Sequence, residues 1–195
     1  GSAKPELLSN KEALAAVTEE AMRLKEAAGD ISLAQAADAL TLSMNQYAAS
    51  VSDAARYTNV LAAGSKAGAA NIASQAAAIK TCGTAAASAN ISIEQTVALI
   101  ETLAYRGIKN EVAGTGLKKF FLTLQTGAKE TNPAIVGLDK AIDNLKKKNM
   151  AAADIKKMFG EEGYNVASVI LQNTQMINQF KEAVTGSSIA LEQAA

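Results

Sequence analysis

Residues 59–90 read NVLAAGSKAGAANIASQAAAIKTCGTAAASAN, almost entirely alanine, glycine, serine and asparagine. Such a stretch has three physical readings: a flexible linker, a glycine-rich cradle for phosphate, or helix packed tightly against other helices. The distance between packed helix axes depends on the side chains at the contact, so small residues suit the third. A phosphate cradle needs a strand aiming backbone amides and a Gly-Lys-Ser/Thr ending. Neither Gly64-Ser65-Lys66 nor Gly114-Thr115-Gly116-Leu117-Lys118 has them. Gly64 is expected as a helix C-cap, where glycine adopts the left-handed conformation at little cost. The stretch then reads as a helix ending near Ala63, a turn through Gly64 to Ala70, and a helix capped by Asn71. An alanine-rich segment continues past Gly83 to Ser92, with Ile72, Ile79 and Cys82 as expected buried contacts.

Roughly one residue in five is alanine and proline occurs only at Pro5 and Pro133, a balance that favours helix over sheet. Capping boxes mark helix starts, a serine side chain accepting from the third helical amide while an acidic or amide side chain reaches back. Ser9 with Glu12, Ser32 with Gln35 and Ser92 with Gln95 fit, the last two preceded by Ile31 and Ile91 as hydrophobic staples. The first helix carries Leu14, Val17, Ala21, Leu24 and Ala28 on one stripe, the second Leu33, Ala37, Leu40, Met44 and Tyr47. Further starts are expected at Ser52, Asn71 and Asn110, the last leading to Leu117, Phe120, Phe121 and Leu124. Asn132-Pro133 pairs a cap with proline at the first helical position. Ile135, Leu138, Ile142 and Leu145 follow at helical spacing. The run Lys146-Lys147-Lys148 reads as a helix C-terminus, where cations complement the carbonyl dipoles. The last helices are expected over Ala151–Phe159 and Tyr164–Val184, the second carrying Val166, Val169, Ile170, Ile177, Phe180 and Val184 and ending at Gly186.

The expected fold is therefore all-α, a compact bundle of about seven to nine short helices. Residues 1–3 read as a tag remnant and leader, residues 4–195 as a single helical domain with possible sub-regions 29–127 and 132–195, and the whole as an excerpt of a longer protein. DISLAQAADALTL at 30–42 aligns with NISIEQTVALIET at 90–102. The pair reads either as a duplicated helix-pair unit or as two capped amphipathic helices alike in pattern.

The inventory of reactive groups argues against catalysis. The chain has 195 residues with no histidine, no tryptophan and one cysteine, which removes the common zinc sets, Ser-His-Asp and Cys-His arrangements and any intrachain disulfide. No Ser-x-x-Lys occurs. Cys82, in an alanine-rich setting, reads as buried and inert. Glu19-Glu20 and Glu161-Glu162 are neighbours in sequence, diverge by about 100° on a helix, and read as solvated faces. Asn90-Ile91-Ser92 matches a glycosylation sequon, but Ser92 already has a role as helix cap. Nineteen Lys and Arg balance nineteen Asp and Glu, so no global field draws the chain to nucleic acid. Lys66, Lys80, Glu94 and Glu101 interrupt every candidate membrane span. No catalytic, cofactor-binding or metal residue is assigned, no cofactor is expected, and the binding residues are unknown. A helical interaction module is the reading from the residues alone.

A resemblance extends that reading. ISLAQAADALTLSMNQYAASVSDAARYTNVLAAGSKAGAANI, followed by IKTCGTAAASANISIEQTVALIETLAYRGIKNEVAGTGLKKFFLTL, resembles the core domain of bacteriophage tail tape measure proteins, the minor tail protein family also found in prophages. The likeness runs from about Gly29 to Leu124, with a looser continuation through DIKKMFGEEGYNVASVILQN at 154–173. VLAAGSKAGAANI, NISIEQTVALIETLA and GIKNEVAGTGLKKFFLTL are its most specific elements. Gly83-Thr84 stands where family members often carry Gly-Pro, which implies a softer break between helices, and Thr81-Cys82 where larger or apolar residues are common. The resemblance implies a structural, non-enzymatic protein that scaffolds tail tube assembly, helps set tail length and is ejected before the DNA. It implies the tail tube protein, tail assembly chaperones, baseplate or tail tip proteins and other copies of itself as partners. Its expected location is the tail tube lumen of the virion, and the host cytoplasm during assembly.

Overall fold

The computed structural model describes residues 10–188, and among them lie ten α-helices, two short 3-10 turns and no strand. Helix α1 (Lys11–Ala28) starts on Asn10, whose side chain accepts from the N–H groups of Glu12 and Ala13, and ends on Gly29 at φ 75°. The expected cap Ser9 lies outside the described residues, and the capping falls to its neighbour. Helices α2 (Leu33–Gln46) and α5 (Ile93–Tyr105) both begin with the expected boxes, Ser32 with Gln35 and Ser92 with Gln95. A 3-10 turn over Val51–Asp53, capped at Ser50 and not at the expected Ser52, leads into α3 (Ala54–Ala67). Asn71 caps α4 (Ile72–Ser88) by accepting from the Ser74 N–H, and α6 covers Asn110–Gln125.

The C-terminal third is more broken than its periodicity suggests. Asn132 and Pro133 start a helix as expected, but α7 (Pro133–Val136) stops at Gly137, whose φ of 83° no continuing helix accepts. Ile135 is consequently 58% exposed and leaves the stripe of Leu138, Ile142 and Leu145, which are buried in α8 (Leu138–Lys147). Lys146 and Lys147 form the last turn of α8 and Lys148 its cap, the dipole-complementing position read from the sequence. Helix α9 (Ala152–Gln172) is bent at Gly160, with φ 73° and ψ −179°, and resumes before Tyr164. The expected helix over 164–184 is cut at Asn173, so α10 (Thr174–Val184) is separate. These two extra breaks raise the number of helices above the expected seven to nine.

Two glycines act differently from expectation. Gly64 is not a C-cap: α3 runs through it to Ala67, and a β-carbon there would lie 2.6 Å from Val97 Cγ1. Gly83 lies inside α4 without a break, and a β-carbon there would lie 2.7 Å from Gln46 Cβ. Both positions are needed for close helix contact and not for a turn.

One connected core runs from Val17 to Val184. Helix α1 packs on α2 and α3, α2 on α4, α4 on α6, and α6 on α9, while α10 closes over α5 and α3. Every residue from Thr96 to Ala104 is buried, so α5 is the central helix of the bundle, enclosed on all sides and mostly apolar, with Thr96, Glu101 and Thr102 as its buried polar residues. Phe120 of α6 stacks on Phe159 of α9 with ring centroids 5.1 Å apart. On α1 and α2 the buried stripes are narrower than expected, since Leu14 and Leu33 are 51% and 39% exposed. Ala36 and Ala39 supply the inward contacts of α2 in place of Leu33.

Candidate functional site

The wholly buried stretch of α5 contains one carboxylate. Glu101 is fully enclosed, on a helix otherwise built from Val97, Ala98, Leu99, Ile100, Leu103 and their like. An isolated ionised carboxylate in such surroundings is costly unless it is hydrogen-bonded. Here its Oε2 accepts from the Ala70 N–H at 2.9 Å and its Oε1 from Gln75 Nε2 at 2.7 Å. The nearby Ala69 amide acts on the carboxyl in the same direction, favouring its ionised form.

The donors come from the corner between α3 and α4, and local sequence explains why they can reach. Helix α3 ends at Ala67 and α4 does not begin until Ile72, so the amides of Ala69 and Ala70 are free of helix bonding and face α5. Gly68 lies directly on the carboxyl, and a β-carbon there would overlap Glu101 Oε2. Gly64, one turn earlier, leaves room for Val97 and for the Gln75 amide. Burial pushes the Glu101 carboxyl up to about 7, against the opposing pull of the Ala70 and Ala69 amides, Gln75 and the Lys109 ammonium. A carboxyl titrating near neutrality has the acidity of a general acid or base. This one has both oxygens committed to donors of the chain, in a position closed to solvent. Its arrangement couples three chain segments and presents no face to a substrate.

A second tie joins the same helices near the surface. Arg56 of α3 grips Glu94 of α5 with Nε and Nη2 on the two carboxylate oxygens, at 2.6 and 2.7 Å. This fork-to-fork pairing fixes orientation as well as distance. Burial raises the Glu94 carboxyl, but the Arg56 hydrogen bonds outweigh it and hold the group below its ordinary value.

The residues weighed from sequence fall elsewhere. Cys82 is fully buried in α4 and burial pushes its thiol up to about 12, far from a reactive thiolate. Glu19 and Glu20 are not both solvated as expected. Arg23, three and four residues further along α1, binds them both at 2.6 Å, and Glu20 is buried. Glu161 is exposed and pairs with Lys156. Glu162 is also exposed, on the rim of a groove of about 370 Å³ between α6 and α9 that also exposes Val112. A second groove, of about 340 Å³, is lined by Ile31, Ala39, Leu42, Ile72, Ala73 and Ala76 together with the polar Gln35 and Asp38, from α2, α4 and the turn before α2. Gly114 and Gly116, read as a weak phosphate-loop candidate, are buried in helix α6 against Ala78 and Val166. Among the described residues no group of three or more His, Cys, Asp or Glu is placed to hold a metal ion, and no helix is long and apolar enough to cross a membrane.

Sequence reasoning missed Glu101 as a site residue. A signal was present: one acidic residue inside TVALIETLA, where a helix buried on all sides tolerates a charge only with dedicated partners. Two of the three sequence blocks that carry the family resemblance, VLAAGSKAGAANI and NISIEQTVALIETLA, are the blocks that Glu101 ties together.

Comparison with known proteins supports the coarser part of that resemblance, a phage tail protein. The family described as phage-related minor tail protein matches residues 3–186. No curated protein and no solved structure matches the chain.

Proposed function

Because the chain belongs to the phage-related minor tail protein family, and so to the structural proteins of phage tails, we propose that it is the core segment of a tail tape measure protein. In this reading it helps scaffold polymerisation of the tail tube, contributes to fixing tail length, and leaves the tube ahead of the DNA. Its work is mechanical and architectural, without catalysis. Its partners are tail tube subunits, tail assembly chaperones, baseplate or tail tip proteins, and further copies of itself.

The observation that carries the form of this proposal is the connected core. A single helix of this length would extend about 290 Å at ~1.5 Å per residue. Instead the longest helix among the described residues has 21 residues and is itself bent at Gly160, and the elements fold back to bury one another. The segment therefore serves as a folded anchoring or assembly module, and the linear ruler lies in other parts of the protein.

In-frame excision of this segment from the phage tests the proposal. If the segment is such a module, its excision abolishes tail assembly or yields tails of irregular length, whereas tails uniformly shortened by about 290 Å would make the segment itself part of the ruler. Normal tails of normal length would remove the tail assembly role. The apolar groove between α2 and α4 favours one other reading, a helical adaptor that seats an amphipathic partner. That reading predicts binding of a single helical peptide in the groove and no association with tail tube subunits.

A further inference from the structure

We propose that Glu101 is a proton-operated latch on the α3–α4 corner: with a proton on its carboxyl the corner stays shut against α5, and loss of that proton to solvent favours its opening. The latch rests on geometry independent of the tape measure reading. Glu101 is fully buried, yet its partners Ala69, Ala70 and Gln75 all belong to the corner, and Gly68 closes over it with no side chain of its own. Separating the corner from α5 is thus the motion that gives this carboxylate water.

Both protonation states can be accommodated in the closed form, at different cost. As a carboxylate, Glu101 accepts from the Ala70 N–H and the Gln75 amide but lacks hydration. As a carboxylic acid it needs an acceptor for its own O–H, and the Gln75 amide oxygen is buried without a hydrogen-bond partner. Rotation of that amide by half a turn presents the oxygen to the Glu101 O–H, giving up the Nε2 bonds to Glu101 Oε1 and to the Ala70 carbonyl in exchange. The Ala70 N–H bond persists in either state.

The surrounding charges do not offset the burial. Lys109, just before α6, acts on Glu101 but is itself exposed. Lys66 of α3, Lys80 of α4 and Glu111, Lys118 and Lys119 of α6 are exposed, as are Asp154, Lys156, Lys157, Glu161 and Glu162 of α9. On α10, Lys181 binds Asp139 and Glu182 is exposed. Arg56 is taken by Glu94, and Arg106 by the Asn173 side chain. The groups facing Glu101 directly from α3 and α4 are neutral: Gly64, Gly68 and the Gln75 amide.

The opened corner returns Glu101 to the ordinary carboxyl value of 4.5, against about 7 when closed. Opening therefore becomes roughly 70-fold more favourable between pH 5 and pH 8. Amide hydrogen exchange of the intact chain measures this directly. After correction for intrinsic exchange rates, the protection of the Ala70 amide is expected to fall by about that factor across the range, and in Glu101→Gln to stay level. Level protection in the wild type, or an equal fall in Glu101→Gln, overturns the latch. If Glu101→Gln fails to fold, the side-chain carboxyl resonance of Glu101 in the wild type decides. Titration near pH 7 together with the fall in protection supports the latch, and titration near 4.5 overturns it.

Discussion

Gly114 of α6 lies so close to Ala78 of α4 that a β-carbon at position 114 would meet the Ala78 carbonyl oxygen at 2.5 Å and its Cα at 3.0 Å. Both atoms are backbone, so neither can swing aside as a flexible side chain would. Replacing this glycine with alanine raises intrinsic helix propensity by about 1 kcal/mol, but forces two helices apart in a packed core. Gly114→Ala is expected to lower stability by about 1–3 kcal/mol net, measured by urea unfolding. A stabilised variant would show that the α4–α6 contact is looser than described.

Global stability should carry the mark of the buried Glu101. Its carboxyl value in the folded chain, about 7, exceeds the ordinary 4.5, so the folded state holds the proton more tightly than the unfolded one. The associated stability is complete below pH 4.5 and is lost as pH rises through 7. Glu94 lies outside this window, since Arg56 holds its carboxyl below the ordinary value. Urea unfolding should therefore show a loss of about 2–3 kcal/mol from pH 5 to pH 8 that Glu101→Gln does not share. Parallel pH profiles for the two proteins would exclude Glu101 as the source.

Cys82 provides a clock for opening of the bundle. The thiol is fully buried and burial holds it near 12, so both access and thiolate population are low in the folded chain. Maleimide or disulfide reagents should leave the native protein unlabelled and react at once in denaturant. Labelling of the native chain at the rate of an exposed cysteine would contradict the packing of α4.

The bend in α9 depends on Gly160. Its φ of 73° and ψ of −179° belong to a region of backbone space available almost only to glycine. Added side-chain atoms would meet only the far end of Lys119, so the cost of substitution is conformational and not steric crowding. Gly160→Ala is expected to cost about 1–3 kcal/mol, read as a lowered unfolding midpoint. An unchanged midpoint would show that the bend survives with ordinary backbone angles.

Local chemistry was the part of the fold most legible in the sequence. The boxes at Ser32 and Ser92, the Asn71 cap and the Asn132-Pro133 start each satisfy their own helix amides with side chains a few residues away, so no distant information is needed. The interruption around Gly160 is expected from the sequence, but the breaks at Gly137 and Asn173 are not, because the apolar spacing continues across them. At Asn173 the side chain is bound by Arg106, whose Nη2 donates to its Oδ1 at 2.6 Å from a position 67 residues away in sequence. Gly64 was misread for the same reason. Whether a glycine ends a helix or admits a neighbour depends on Val97 and Gln75, which only the tertiary fold brings to it. The Glu101 site was half legible: the lone acid in an apolar run is visible, but its partners 26 and 31 residues earlier are not.

The alanine content of α4 has a mechanical consequence. Ala78, Ala85, Ala86 and Gly83 are buried, so the helix sits in dense contact with its neighbours. Each methyl removes little apolar surface from water compared with a leucine side chain, and alanine surrenders no rotamer freedom on burial. Density and cohesion are thus partly decoupled within α4: its alanines let α6 come close, as at Ala78 and Gly114, while each contributes less apolar burial than Ile72 or Ile79 of the same helix. A helix built this way acts as a spacer of fixed thickness: its alanines set how near the neighbouring helices come, and a larger side chain at such a position would push them apart.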